Sequence, residues 1–182
     1  MIHRTNQLAL LLLIALTGCA TQQENQMQAV SNIDLERFMG NWYVIANIPT
    51  FAEREAVNPL ENYRLNDDGT IATTFTFNKK HPEGTAKTLR MTGFANDKPD
   101  NGTWRMQWIW PIKADYRIAY LDENYQFAII GRDKRDYVWV MSREPNIEES
   151  KLEELINFAA GLGYDRTKIQ LTSWQQPLRK AA

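Results

Sequence analysis

The sequence predicts an all-β domain, an antiparallel barrel or sandwich built from eight short strands followed by one helix. Three observations predict it. Short runs of β-branched and aromatic residues recur along the chain, several of them alternating apolar with polar positions. Polar turn signals such as Asn66-Asp67-Asp68-Gly69 and Asn101-Gly102 separate them. No strand–helix alternation appears, which excludes a doubly wound parallel sheet.

Taken in order, Asn41 to Ile48 carries the β-formers Trp42, Tyr43, Val44 and Ile45. Tyr63-Arg64-Leu65 leads into the first strong turn. Ile71 to Phe77 follows, with Ile71, Thr73, Phe75 and Phe77 on one face. A fourth strand is read around Lys87 to Phe94, and a fifth over Thr103 to Trp110, where Trp104, Met106, Trp108 and Trp110 alternate with Arg105, Gln107 and Ile109. Pro111 stops that run. Tyr116 to Leu121, Tyr125 to Ile130 and Tyr137 to Ser142 complete the set, joined by the polar turns around Asp122-Glu123-Asn124 and Asp133-Lys134-Arg135-Asp136. Between Ile147 and Ala160 the period changes: Leu152, Leu155, Ile156 and Ala159 form one apolar helical stripe. Asn146 is placed to cap it, and Gly161 and Gly163 to end it. A single stripe suits a helix lying against the outside of a barrel. Lys168 to Trp174 reads as a last short strand.

The N-terminus is an address. Arg4 precedes the apolar run Leu8 to Leu16, and Thr17-Gly18-Cys19-Ala20 follows directly, the layout of a secretory signal over residues 1–18. The apolar run is shorter than the roughly 20 residues a transmembrane helix needs. Leu16-Thr17-Gly18-Cys19 resembles the bacterial lipobox, which implies cleavage before Cys19 and three acyl chains on the new N-terminus. Two or more chains anchor stably where one does not. Ala20, in place of an aspartate, favours the outer membrane in that scheme. Residues 20–31 are polar, with Gln22, Gln23, Gln26 and Gln28, and read with Cys19 as an acylated tether over 19–31. The domain is placed at 32–177 and a C-terminal tail at 178–182.

Composition excludes several functions. The 182 residues hold 21 basic and 22 acidic side chains, a formal charge of −1, and losing Arg4 with the leader makes it −2. Without a basic excess, nucleic acid is not an expected partner. Cys19 is the sole cysteine, so an intrachain disulfide and a cysteine zinc cluster are both excluded. His3 and His81 leave little imidazole for a metal site or a catalytic base, and His81 lies in the polar loop Lys79-Lys80-His81-Pro82-Glu83-Gly84. No nucleophile elbow, metalloprotease helix or phosphate loop appears. The expectation is therefore a non-enzyme without cofactor or metal.

Gly40-Asn41-Trp42-Tyr43 at the first strand matches the Gly-x-Trp motif of lipocalins. Tyr137 to Arg143 ends in the arginine expected after a late lipocalin strand. The middle motif, typically Thr-Asp-Tyr, is here Leu121-Asp122-Glu123-Asn124-Tyr125. That departure fits the bacterial branch. With the late helix and Gln175-Gln176-Pro177, the ordered set resembles the bacterial outer-membrane lipoprotein lipocalins over about Asn32 to Pro177. The resemblance implies an eight-stranded up-and-down calyx, with the C-terminal helix packed outside and a short ninth strand. In such a calyx Trp42 plugs the closed end, the Arg143 guanidinium lies over its ring, and the arginine donates to main-chain carbonyls. A plain core tryptophan and a solvated arginine are the bland alternative.

Inward-facing Trp42 and Arg143 extend by strand parity to Val44 and Ala46, and to Met141, Trp139 and Tyr137. Phe75 and Phe77, Trp108 and Trp110, Tyr116 and Ile118, and Tyr125 and Phe127 are the neighbouring inward sets. The resemblance implies that Ala46, Phe75, Phe77, Trp108, Trp110, Tyr116, Tyr125, Phe127, Tyr137, Trp139 and Met141 line a seat for a fatty acid or lysophospholipid. Arg90, Lys113 and Arg117 are candidates for its head group. It also implies attachment to the membrane through the acylated N-terminus, a role in lipid transport, storage or maintenance under envelope stress, and leaves a homodimer open. Two other readings stay open at this point: a solid barrel serving as an envelope structural or interaction module, and a carrier of a flat hydrophobe such as a tetrapyrrole stacked on Trp108, Trp110 or Trp139.

Overall fold

The computed structural model describes residues 26–174. Eight strands run up and down: β1 (Gly40–Ile48), β2 (Ala56–Leu65), β3 (Ile71–Lys79), β4 (Ala86–Ala95), β5 (Thr103–Ile109), β6 (Ile112–Leu121), β7 (Phe127–Gly131) and β8 (Val138–Ser142). Each pairs antiparallel with the next, and β1 pairs with both β2 and β8, which closes the barrel. A two-residue ninth strand, β9 (Gln170–Leu171), adds to β1 outside the closed ring. The one-turn helix α1 (Leu35–Phe38) precedes β1, its Asp34 cap accepting from the Arg37 amide. Helix α2 (Glu149–Gly161) lies against the outer wall.

Alternation along each strand divides the apolar residues into two cores. The lumen core holds Phe38, Trp42, Val44, Tyr63, Phe75, Trp104, Ile118 and Met141 among others. The second core lies outside, where Ile45, Ala46, Ile129, Val138 and Val140 meet Leu155, Ile156 and Ala159 of α2. The helix stripe read from the sequence is therefore the buried face, although the helix starts after Glu148 rather than at Asn146.

Several strand limits differ from the sequence reading for local reasons. β2 starts at Ala56, well before Tyr63, and its register with β3 shifts between Val57 and Leu60, a bulge that accommodates Pro59. β6 starts immediately after Pro111. The stretch before Phe127 is a turn rather than a strand. Asp122 accepts from the amides of Asn124, Gln126 and Phe127, and Tyr125 takes φ +58°.

Residues 26–31, expected as the end of the tether, pack on the barrel instead. Met27 is fully buried, its amide donating to Asp133 at 2.8 Å, and the Val30 amide donates to the Ile118 carbonyl at 2.8 Å. Gly131 makes room for it: a Cβ there would sit 2.6 Å from the Met27 sulfur. Residues 1–25 and 175–182, and with them Cys19 and Gln175-Gln176-Pro177, lie outside the described residues.

Candidate functional site

The closed end of the barrel is a sealed aromatic floor. The Trp42 indole donates to the Phe38 carbonyl at 2.8 Å, and the Arg143 guanidinium carbon lies 3.9 Å from the Trp42 ring centroid. Arg143 also donates to the carbonyls of Asn41 (2.7 Å), Arg37 (2.8 Å), Phe38 (3.0 Å) and Tyr125 (3.2 Å). One guanidinium thus ties α1, the start of β1 and the β6–β7 turn together. Above this floor Phe38, Tyr63 and Trp104 pack edge to tilted, with centroids 5.4–5.8 Å apart, and Tyr116 stacks on Trp104 at 5.5 Å. These side chains are almost fully buried, so the lower half of the lumen is filled by protein.

A polar layer crosses the middle. The hydroxyls of Tyr63 and Tyr116 share a short hydrogen bond. Glu61 faces inward from β2, opposite Phe75, and its Oε2 has no hydrogen-bond partner among the described residues. Burial, with the Glu53 carboxylate nearby, pushes the Glu61 carboxyl up to about 8. Glu53 accepts from the Trp139 indole at 3.2 Å and from the Thr50 amide at 3.0 Å, fixing the β1–β2 loop over the lumen. Burial raises its carboxyl as well.

Space opens at the other end. A cavity of about 470 Å³ is lined by Phe51, Ala52, Phe77 and Leu89, with Arg54, Lys79 and Lys87 among the polar groups around it. That volume falls within the roughly 300–1,000 Å³ of small-molecule sites. Lys87 reaches this end because it pairs with Phe77 across β3–β4 and shares the face of Leu89 and Met91.

The predicted lining divides accordingly. Phe75, Phe77, Tyr116, Trp139 and Met141 are in the lumen core, with Tyr137 packed against them. Ala46 is not: a register shift between Val44 and Ala46 turns it outward beneath α2. Phe127 is also outward, because Ala128 and Ile130 stand opposite Met141 and Trp139 and take the inner face. Tyr125 belongs to the floor turn, where its hydroxyl accepts from the Asp34 amide at 2.9 Å. Trp108 and Trp110 are exposed at the end of β5 and in the β5–β6 hairpin, past Met106, the last residue of β5 in the lumen core.

None of the three predicted head-group cations faces the lumen. Arg90 pairs with outward Thr74, and Lys113 lies over the Phe94 ring at 3.4 Å. Arg117 is buried between Asp115 and Asp133, at 3.2 and 2.8 Å, and donates to the Met27 carbonyl. Sequence reasoning missed Tyr63, Glu61 and Lys87. Parity from Leu89 was the available signal for Lys87.

A lipocalin-like domain model matches residues 33–174. Temperature-induced lipocalin-1 of Arabidopsis thaliana is 31% identical over 159 residues, covering 82% of this chain and 84% of that protein. Outer membrane lipoprotein Blc of Vibrio cholerae is 27% identical, covering 86% of this chain and 91% of that protein. Among solved structures, insecticyanin of the tobacco hornworm Manduca sexta matches with a TM-score of 0.65 at 14% identity, over 82% of this chain and 85% of that one. That likeness shows the fold. With the family model spanning nearly the whole barrel, and the Trp42–Arg143 floor in place, the chain belongs to the lipocalins, hydrophobic-ligand-binding barrels.

Proposed function

We propose that this lipocalin seats one acyl chain of a fatty acid or lysophospholipid in the mouth cavity, and carries, stores or clears membrane lipids rather than transforming them. The observation that carries the reading is the cavity itself: an apolar lining of Phe51, Phe77 and Leu89 with Lys79, Lys87 and Arg54 around it. An acyl tail gains roughly 0.8 kcal/mol per buried methylene, and the cations suit an anionic head. The packed lower lumen makes the seat shallow, so the head group stays near solvent. The tetrapyrrole reading loses support, because two of its three stacking indoles, Trp108 and Trp110, lie outside the lumen.

We further propose that the acylated Cys19 holds the chain to the periplasmic face of the outer membrane. The leader layout and the lipobox-like Leu16-Thr17-Gly18-Cys19 support this, as does the similarity to proteins named outer membrane lipoproteins. The test of cargo is uptake of a fluorescent fatty acid by delipidated protein. One equivalent per chain, displaced by palmitate and by a lysophospholipid, is expected. Absence of displaceable uptake overturns the reading in favour of a solid barrel.

A further inference from the structure

Five of the seven large exposed apolar side chains among the described residues gather at one end of the barrel; the other two, Phe158 on α2 and Leu171 on β9, lie on the outer wall. Phe51, in the β1–β2 loop, is 81% exposed, and Trp110, in the β5–β6 hairpin, is 83% exposed. Trp108, Ile109 and Ile112 of the same hairpin are also exposed. The strand order β2-β3-β4-β5-β6-β7-β8-β1 puts these two connections on opposite sides of the ring. Both belong to the open end, because the floor residues Trp42 and Arg143 mark the other. The apolar points therefore flank the mouth cavity.

Charge follows the same axis. Lys79, Lys87 and Lys113 lie at the mouth ends of their strands and Lys80 just past β3, with Glu53, Glu55 and Glu83 in the loops at that end; Lys79 and Lys80 share Glu55 at 3.4 and 3.3 Å. The turns of the closed end carry Asp67, Asp68, Asp97, Asp100, Asp122 and Glu123. The course of the N-terminal segment adds an independent constraint. Met27 is held by Asp133, in the β7–β8 loop at the mouth end, whereas the Asn32 amide donates to the Pro99 carbonyl at the closed end. The chain thus enters the domain from the mouth side. Six residues lie between Cys19 and Gln26, seven steps of chain, a reach of at most about 25 Å.

We infer that the open rim rests on a phospholipid bilayer, with Phe51 and the Trp108–Ile112 hairpin at the boundary between head groups and acyl chains and the lysines facing anionic head groups. Tryptophan suits that boundary, since its ring is apolar and its N–H can stay wet. Amphipathic elements enter it by about 5–10 Å. A second copy docked rim to rim would set lysine against lysine. The bilayer also lies where a lipidated Cys19 would reach, and where the mouth would meet its cargo. The contact is separate from the anchor: one attaches the chain, the other orients the barrel.

The test uses the mature chain purified from its host and bound to phosphatidylethanolamine–phosphatidylglycerol vesicles with dibrominated acyl chains. Flotation reads attachment, and quenching of indole emission reads rim contact, so failure of the anchor and failure of the rim are distinguishable. The Trp108→Phe/Trp110→Phe double variant is expected to float as before while its quenchable emission falls by at least half. Trp174→Phe is expected to leave quenching unchanged. Quenching that is absent, or equal in the double variant, overturns the inference. So does a dimer in sedimentation that Trp110→Ser dissociates and whose indoles brominated lipid does not reach. A fold-neutral check is Ile112→Ser, in the exposed hairpin and outside the cavity lining, expected to slow transfer of a fluorescent fatty acid from vesicles several-fold while its uptake from solution is unchanged; equal transfer rates count against the rim.

Discussion

Arg143 covers Trp42 with its guanidinium 3.9 Å from the ring centroid while donating to the main-chain carbonyls of Asn41 and Arg37. The same group therefore does two things: it desolvates the indole face and satisfies carbonyls that the short helix α1 and the first strand leave unpaired. Gly40 is required by the backbone: it holds φ +94°, whereas a Cβ there would meet Arg143 Nη1 at an ordinary contact distance of 3.5 Å. The Gly-x-Trp spacing is thus a backbone requirement and a ring position two residues apart.

Arg143→Ala should destabilise the barrel by about 2–4 kcal/mol, from a cation–π contact and several charge-assisted hydrogen bonds, discounted for partial exposure. Urea unfolding should show a lower midpoint with an unchanged slope. Arg143→Lys should recover only part of the loss, since an ammonium cannot span carbonyls on three segments. Gly40→Ala should cost about 1–2 kcal/mol through its backbone conformation rather than through crowding.

Glu61 sets a pH dependence. Unfolded, its carboxyl ionises near its ordinary 4.5; folded, burial keeps it protonated up to about 8. Between those values the folded chain binds more protons than the unfolded one, so stability falls as pH rises. This contribution is fully present below the lower value and gone above the upper one. Glu61→Gln should flatten that decline and leave the variant more stable than the parent at pH 8.5, by an amount on the order of a few kcal/mol. Equal thermal midpoints for the two proteins at pH 5 and 8.5 would show that Glu61 does not titrate across this window.

The floor was legible through the family motif, because the resemblance implied the Trp42–Arg143 contact although the two lie far apart in sequence, and the α2 stripe was legible from spacing along one helix; the structure keeps both. The pocket lining was less so, because facing depends on pairing. Nothing near Ala46 in the sequence announces the bulge that turns it outward; the shift appears in its pairing with β8. Phe127 was misread for a related reason, since Asp122 consumes the amides that would have begun β7. Glu61 was passed over because a carboxylate is rarely fully buried, although parity with Tyr63 points it inward. Alternation of Leu89 and Met91 would have excluded Arg90 and nominated Lys87.

Cys19→Ala should release the protein from the membrane fraction of a bacterial host. The multiple acyl chains that a lipobox implies would anchor it essentially irreversibly, whereas the inferred rim contact alone would give only weak, salt-sensitive attachment. Fractionation checks this directly. Continued need for detergent to extract the variant would remove lipidation from the explanation.

The mouth cations should govern selectivity more than affinity. Lys87 is exposed and shares a face with Phe77 and Leu89, so its attraction for an anionic head is screened by water. Reversing the charge with Lys87→Glu should weaken binding of a fatty acid about three- to tenfold, as one exposed interaction lost and one repulsion gained. The methyl ester of the same acid, which has the tail without the charge, should bind parent and variant alike. Leu89→Arg should instead weaken both, because it takes apolar wall from the tail at roughly 25 cal/mol per Å² and places an unpaired charge beside it. Displacement titrations with acid and ester separate the two terms. A Lys87→Glu variant that lost acid and ester equally would mean that the head group sits elsewhere, and the acyl chain would then have to lie in the opposite sense across the mouth.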